Sequence, residues 1–429
     1  MSTTSSIAMP SSERVPYFDT IIRVVLAIYI AVLPFKPLLV IERNGFILLL
    51  GLLVVWCVVN RRLFYVRTPY DMLLLAFVVW VGLTIPFSVA PLYSLKEYGK
   101  LLQHMVVFYA LVYFLRDTRF ARILPFLIGT VTIIVAGYGL TQFNLIDGQA
   151  VKSFLPSEVW LTTFLIMVFP FVFAAACGSG PQGIKRFAAL TSAMVACCLL
   201  ITQSRAGLVA FFVELWVVVW LIRSLRAKIV AGIVTACMIA VVLFAFKMDM
   251  SAGSEPLKDA RASVPVRTSL SSVLHRFDIW GFTLSEIAKH GLVGIGYGGH
   301  SYFLVYGQEQ EAPGQAPIKR AGTHNIFLYL ALHAGVPAML LFAWLYYSLI
   351  VTTAREYWVA SEWMQRSVLA GMVGSLVGML SRLQFDQMFV GSLAVFFWVL
   401  VAMAVLSYPS YNQAAEETRV RMFGALTEV

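Results

Sequence analysis

Apolar runs of about twenty residues, broken by short polar connections, recur along most of the chain. A span of that length crosses the hydrocarbon layer of a membrane. On that ruler the sequence predicts twelve membrane helices, beginning near Tyr17, Gly45, Tyr70, Leu101, Ala121, Glu158, Phe187, Ala206, Ile229, Thr323, Ser367 and Gln387. Two of them meet at TQSRAG with almost no loop between. One long polar segment, Met248 to Gly322, interrupts the series. The expected organisation is nine spans over 1–247, a large loop over 248–322, three spans over 323–408 and a tail over 409–429.

Composition supports this division. The chain is 60% hydrophobic and 13% charged, whereas a soluble domain is near half apolar and about a quarter charged. The surplus of apolar residues is expected to face lipid, which makes this an all-α polytopic membrane protein. A net charge of +10 raises the question of nucleic acid. The basic residues sit singly or in pairs between apolar runs, however, as topology signals do, and no nucleic-acid partner is expected. The alternate loops NRRLFYVR, RDTRFAR, GPQGIKR, RSLRAK and TTAREYWVASEWMQR hold thirteen Lys and Arg, against seven in the short loops of the other side. That bias puts both termini in the cytoplasm and the long loop outside, on the periplasmic face of a bacterial inner membrane. The polar start MSTTSSIAMPSSERVP lacks the features of a cleavable signal, so the first span serves as the anchor. The five cysteines lie in apolar runs without metal-ligand spacing and read as small buried hydrophobes.

The long loop carries seven basic and seven acidic residues and is neutral, so any anion recognition falls to individual arginines. Its early part, SAGSEPLKDARASVPVRTSL, has little periodicity and reads as a linker. SSVLHRFDIWGFTLSEIAKHG reads as a helix, with Val273, Phe277, Trp280, Leu284 and Ile287 on one apolar face. Ser271 or Ser272 is placed to cap it, and Gly291 to end it. Such a helix between spans is expected to lie along the membrane surface, with Arg276 and Asp278 near headgroup level. GIGYGG, Gly294 to Gly299, follows no strand and departs from the phosphate-loop pattern, so it reads as a turn back to the membrane.

Four places carry candidate chemistry. Gln203, Ser204 and Arg205 cluster where the chain has no loop to hold them in water; polar residues at membrane depth tend to mark sites, though an arginine can also snorkel to headgroups. Arg276 can serve an anion or simply pair with Asp278. His324, with Asn325 beside it in THN, opens an apolar helix. Histidine suits proton transfer near neutral pH, a helix start offers N–H groups to an anion, and a structural hydrogen bond to a neighbour is the plain alternative. Arg382 and Asp386, in SRLQFDQ, are spaced for an ion pair. His104, His290, His300 and His333 carry no motif beyond position and read as structural.

SRAG, then HRFDIW and HGLVGIGYGGHSYF, then THNIFLYLALHAGVPAMLLF come in an order that resembles the O-antigen ligase and polymerase superfamily of bacterial inner membranes. The similarity covers roughly Ile201 to Phe342 by motif and the whole chain by hydropathy, and is nearest to O-antigen ligase. Ala338 stands where many members have glycine, a packing detail. The resemblance implies a fold related to C-type membrane glycosyltransferases and transfer of a polymerised glycan from undecaprenyl pyrophosphate to lipid A–core, with no metal or other cofactor. It carries the family's two arginines and histidine onto Arg205, Arg276 and His324.

The residues agree with that chemistry. A sugar on pyrophosphate is already activated, and no nucleotide motif is visible. Arg205 and Arg276 are expected to stabilise the leaving pyrophosphate. His324 is expected to take the acceptor hydroxyl's proton or to hold phosphate as a cation. Direct displacement inverts the anomeric centre; no paired carboxylate at plausible spacing argues for a covalent glycosyl-enzyme, although Asp278 and Asp386 keep that route open. Gln203, Asn325, Asp278, Arg382 and Asp386 are the expected substrate contacts. O-antigen polymerase and protein O-oligosaccharyltransferase share the loop motifs. A transporter is the reading from another class, but such proteins show repeated halves and interrupted mid-membrane helices, which this sequence lacks.

Overall fold

The computed structural model describes residues 16–116, 119–143, 150–251, 270–307 and 322–411. Most of the expected linker, the polar start and most of the tail lie outside these residues. The described chain is helical throughout: α1 (Pro16–Val32), α2 (Leu39–Asn60), α3 (Asp71–Thr84), α4 (Pro91–Leu115), α5 (Arg119–Thr141), α6 (Glu158–Cys177), α7 (Gln182–Ile201), α8 (Arg205–Ile222), α9 (Leu225–Ser251), α10 (Leu270–His290), α11 (Gly299–Tyr306), α12 (Ile326–Ala334), α13 (Val336–Val359), α14 (Trp363–Leu383) and α15 (Gly391–Leu406). It is an all-α polytopic membrane protein.

Each of the twelve predicted positions carries a helix, but only seven described helices are both long and apolar enough to cross a membrane: α2, α4 to α8, and α13. α3 and α15 are apolar but shorter. α14 misses the criterion for a reason that explains its place. Its run GMVGSLVGML spends positions on Gly and Ser, and every residue from Ser367 to Leu376 is buried. It packs against α6, α8 and α13 in the middle of the bundle, where small residues let helices approach closely. A Cβ on Gly378 would sit 2.3 Å from Glu214 Oε2, and one on Gly374 2.6 Å from Val218 of α8. Those pairs fix α8 and α14 as antiparallel. Their register extends to bring the head of α8, at Arg205, level with the residues that follow α14.

Two sequence expectations change here. The span predicted from Thr323 is two helices, α12 and α13, split at Gly335. Gly335 has φ +86, and a Cβ there would lie 1.9 Å from the Leu292 carbonyl oxygen. The glycine-rich loop is the reason for the break: Ile295 N–H donates to Leu332 O, Gly296 N–H to His333 O, and Val336 N–H to Gly291 O at 2.7 Å. GIGYGG is thus a turn, with left-handed φ at Gly294, Gly296 and Gly298, and it is seated on the C-terminal end of α12. Gly335→Ala is expected to cost at least about 2 kcal/mol, from left-handed strain and the backbone clash together. Thermal unfolding in detergent checks this, with Gly183→Ala, which meets nothing within 4 Å, as the neutral control.

The second change concerns α10. It ends at His290 as expected, but its buried residues are Ile279, Thr283 and Glu286, and it packs on α12. Phe277 and Leu284, two residues of the expected apolar face, are 58% and 56% exposed. The helix rests on protein through a partly polar stripe and turns these two apolar side chains outward, which suits a helix at a membrane surface. Likewise Cys197 and Cys237 are exposed rather than buried, and Cys57 and Cys177 are half-buried.

Candidate active site

Three elements meet at one end of the bundle: the start of α12, the residues after α14, and α10. Asn325 caps α12, its Oδ1 accepting from the N–H groups of Phe327 at 2.9 Å and Leu328 at 3.2 Å. That is the ordinary work of an asparagine before a helix, and it explains why Asn stands here. The same side chain donates through Nδ2 to Gln384 Oε1 at 3.2 Å, which ties α12 to the end of α14. Thr323 donates to Gln387 Oε1 at 2.9 Å and makes a second tie.

Between these ties His324 is held with φ +46, a conformation that costs an L-residue roughly 1–2 kcal/mol. Its Nδ1 lies 3.1 Å from Asp386 Oδ1. The other carboxylate oxygen of Asp386 is 2.9 Å from Arg382 Nη1, four residues back on α14. The Arg382 side chain is 2% exposed, that of Asp386 18% and that of His324 36%. The charge therefore runs from the protein interior to an accessible imidazole. Nε and Nη2 of Arg382 are buried and have no hydrogen-bond partner among the described residues. Arg276 of α10 completes the group, its guanidinium carbon 5.6 Å from the centre of the Phe385 ring. The expected pair of Arg382 and Asp386 is formed, and the structure adds His324 and Arg276 to it.

Electrostatics fix protonation. Burial alone would raise the Asp386 carboxyl. The hydrogen bond to His324 and the positive charges of Arg382 and Arg276 outweigh burial and hold it below the ordinary carboxylate range. With Asp386 ionised, His324 Nδ1 is the donor in their hydrogen bond, which leaves the Nε2 lone pair of a neutral ring facing away from the carboxylate. A depressed carboxyl stabilises the fold above its unfolded pKa, and that stability is lost as pH falls through the lower folded value. Melting in detergent is therefore expected to be indifferent to this group from about pH 7 down to about pH 4 and to fall below that. Asp386→Asn should lack that part of the acid loss; an identical acid limb in the variant would contradict the assignment.

The remaining sequence candidates lie close by or apart. Arg205 opens α8, capped by Ser204, whose side chain accepts from Gly207 N–H. Gln203 sits in the turn with φ +57, the second strained polar residue at this end. The α8–α14 register puts both level with Asp386. Asp278 is exposed and makes no hydrogen bond or ion pair among the described residues, so it does not join the group. His333 is structural, its Nδ1 against Tyr329 O at 2.8 Å.

A cavity of about 330 Å³ lies beside Gln387, with largely apolar walls including Leu101, Phe342 and Phe397. It also receives Glu97 and Lys100 of α4, which form an ion pair at 2.6 Å, and His104. Sequence reading passed over this pair, although KEYGK within an apolar helix was the available signal. It also passed over Gln384 and Gln387, whose role depends on where α14 ends.

Residues 187–343 match a family model described as O-antigen ligase, so this segment of the chain is similar to that family. The matched segment contains Arg205, Arg276, His324 and Asn325; Arg382 and Asp386 lie beyond it. No curated protein matches the chain.

Proposed function

We propose that this chain, whose residues 187–343 are similar to the O-antigen ligase family, is a glycosyltransferase that moves a polymerised glycan from undecaprenyl pyrophosphate to a sugar of lipid A–core. It works at the periplasmic face of a bacterial inner membrane, with both termini in the cytoplasm. One observation carries the reading: an accessible histidine paired to a buried Asp–Arg couple, with Arg276 alongside, next to an apolar cavity within the membrane part.

That arrangement suits the reaction. The acceptor hydroxyl gives its proton to His324 Nε2 as its oxygen bonds to the anomeric carbon. The bond from that carbon to the pyrophosphate oxygen breaks, and its electron pair leaves with the pyrophosphate. Asp386 orients the ring and stabilises the imidazolium that forms, a role general acid–base sites commonly give a carboxylate. Arg276 and Arg205 meet the charge growing on the leaving group through charge-assisted hydrogen bonds. The apolar walls beside Gln387 suit the first isoprene units of the carrier. Displacement of this kind inverts the anomeric centre.

A deletion strain tests the assignment. The proposal expects lipopolysaccharide with bare core while long glycan remains on its lipid carrier. Core bearing a single repeat unit would instead identify a polymerase, and unaltered lipopolysaccharide with an undecorated protein would identify a protein oligosaccharyltransferase.

A further inference from the structure

At the end of the bundle opposite His324, a larger cavity of about 530 Å³ opens among the ends of α6, α7, α8, α9, α13 and α14. Lys185, Arg226 and Arg366 line it, together with Ser179 and Ser224, and no Asp or Glu among the described residues does. None of the three cations has an ion-pair partner among the described residues. Arg366 is pre-oriented: its guanidinium carbon sits 5.1 Å from the centre of the Tyr357 ring and its Nη2 donates to Tyr357 Oη at 3.4 Å. That tyrosine is itself fixed, donating to Leu221 O at 2.9 Å.

The placement of the charges sharpens the point. Lys185, Arg226 and Arg366 stand in the first turns of α7, α9 and α14, and none of those turns carries an acidic residue. A cation at a helix start opposes the helix dipole, so three of them around one cavity leave a positive site that an anion would relieve. The surroundings indicate which anion. Trp220 and Trp358 pack edge-on at 6.3 Å beside this end, 62% and 48% exposed, and Leu225 is 72% exposed. Exposed tryptophans on a membrane protein mark the headgroup level. The cavity is thus at the depth of lipid phosphates with an apolar flank for acyl chains.

We propose that this cavity binds the headgroup phosphate of an anionic glycerophospholipid, through Lys185, Arg226 and Arg366. The site is remote from His324 and independent of the glycosyl-transfer reading. The full chain, purified in a neutral detergent, is titrated with fluorescent phosphatidylglycerol, with competition by unlabelled phosphatidylglycerol, phosphatidylcholine or inorganic phosphate. The expected result is saturable binding displaced by phosphatidylglycerol alone. Lys185→Gln and Arg226→Gln should each weaken it about fivefold, and the triple variant with Arg366→Gln on the order of a hundredfold. Arg122→Gln, exposed at the same end and outside the cavity, should leave it unchanged. The single variants, at exposed Arg226 and half-buried Lys185, carry the test if the triple variant does not fold. Three results would overturn the proposal: wild-type binding by the single and triple variants, equal displacement by phosphatidylcholine, or displacement by inorganic phosphate, which would mark a free-anion site.

Discussion

His324→Ala is expected to lower glycosyl transfer by about 10²–10⁴-fold, the usual contribution of a positioned general base, with little loss of folded protein. The side chain is about one-third exposed and its loss leaves Asp386 paired to Arg382, so the fold keeps its buried ion pair. Backbone strain points the same way: His324 holds φ +46, and removing the side chain cannot add to that cost. His324→Gly should be slightly more stable than His324→Ala and equally inactive. Activity thus collapses while stability is nearly kept at one position, which a merely structural histidine would not show. Transfer kinetics and melting on matched preparations read both; a His324→Ala enzyme with near wild-type rate would remove the base from the account.

Arg382→Met should behave in the opposite manner. Its guanidinium is buried at the end of α14 and holds Asp386 at 2.9 Å. Taking it away strands a carboxylate that is itself mostly buried, and breaking such a pair costs about 3–5 kcal/mol. We expect the low end, about 3 kcal/mol, because the His324 hydrogen bond and the Arg276 charge still stabilise the Asp386 carboxylate. A loss of that size appears as a marked drop in melting temperature and in folded yield. Transfer by the surviving folded fraction should also fall, since the imidazole is no longer oriented by a fixed carboxylate. Restoring the pair by charge is not simple: Arg382→Lys keeps the charge but shortens the reach and loses the planar fork, so partial rescue of stability without full rescue of rate is the expected pattern.

What the chain announces and what it conceals follow from the range of the interactions involved. THN is legible because a cap is a local device, and Asn325 does cap α12. SRLQFDQ is legible because an i, i+4 pair on a helix end is local too. The link between them is not: His324 reaches Asp386 across 62 positions of sequence, and Arg276 reaches Phe385 from a separate helix. Left-handed φ at Gln203 and His324 is imposed by the packing of short turns, and glutamine does not advertise it, while histidine does so only weakly. The break at Gly335 depends on a carbonyl from Leu292, so a continuous apolar run looked like one span. The inner face of α10 was not legible for a related reason: periodicity finds an apolar stripe, but only packing decides whether that stripe meets protein or lipid. α14 read as an ordinary span although its small residues make it the centre of the bundle, because composition alone does not tell a helix that faces lipid from one enclosed by others.

The central claim is that this chain itself joins a lipid-linked glycan to a lipid acceptor. The most direct test is reconstitution of the purified chain in proteoliposomes with undecaprenyl-pyrophosphate-linked glycan and lipid A–core. Gel mobility and mass spectrometry read the products. The account predicts an acceptor whose mass increases by that of the glycan, with release of undecaprenyl pyrophosphate, and no such product with His324→Ala. An unchanged acceptor in the presence of folded wild-type protein and both lipids would contradict it.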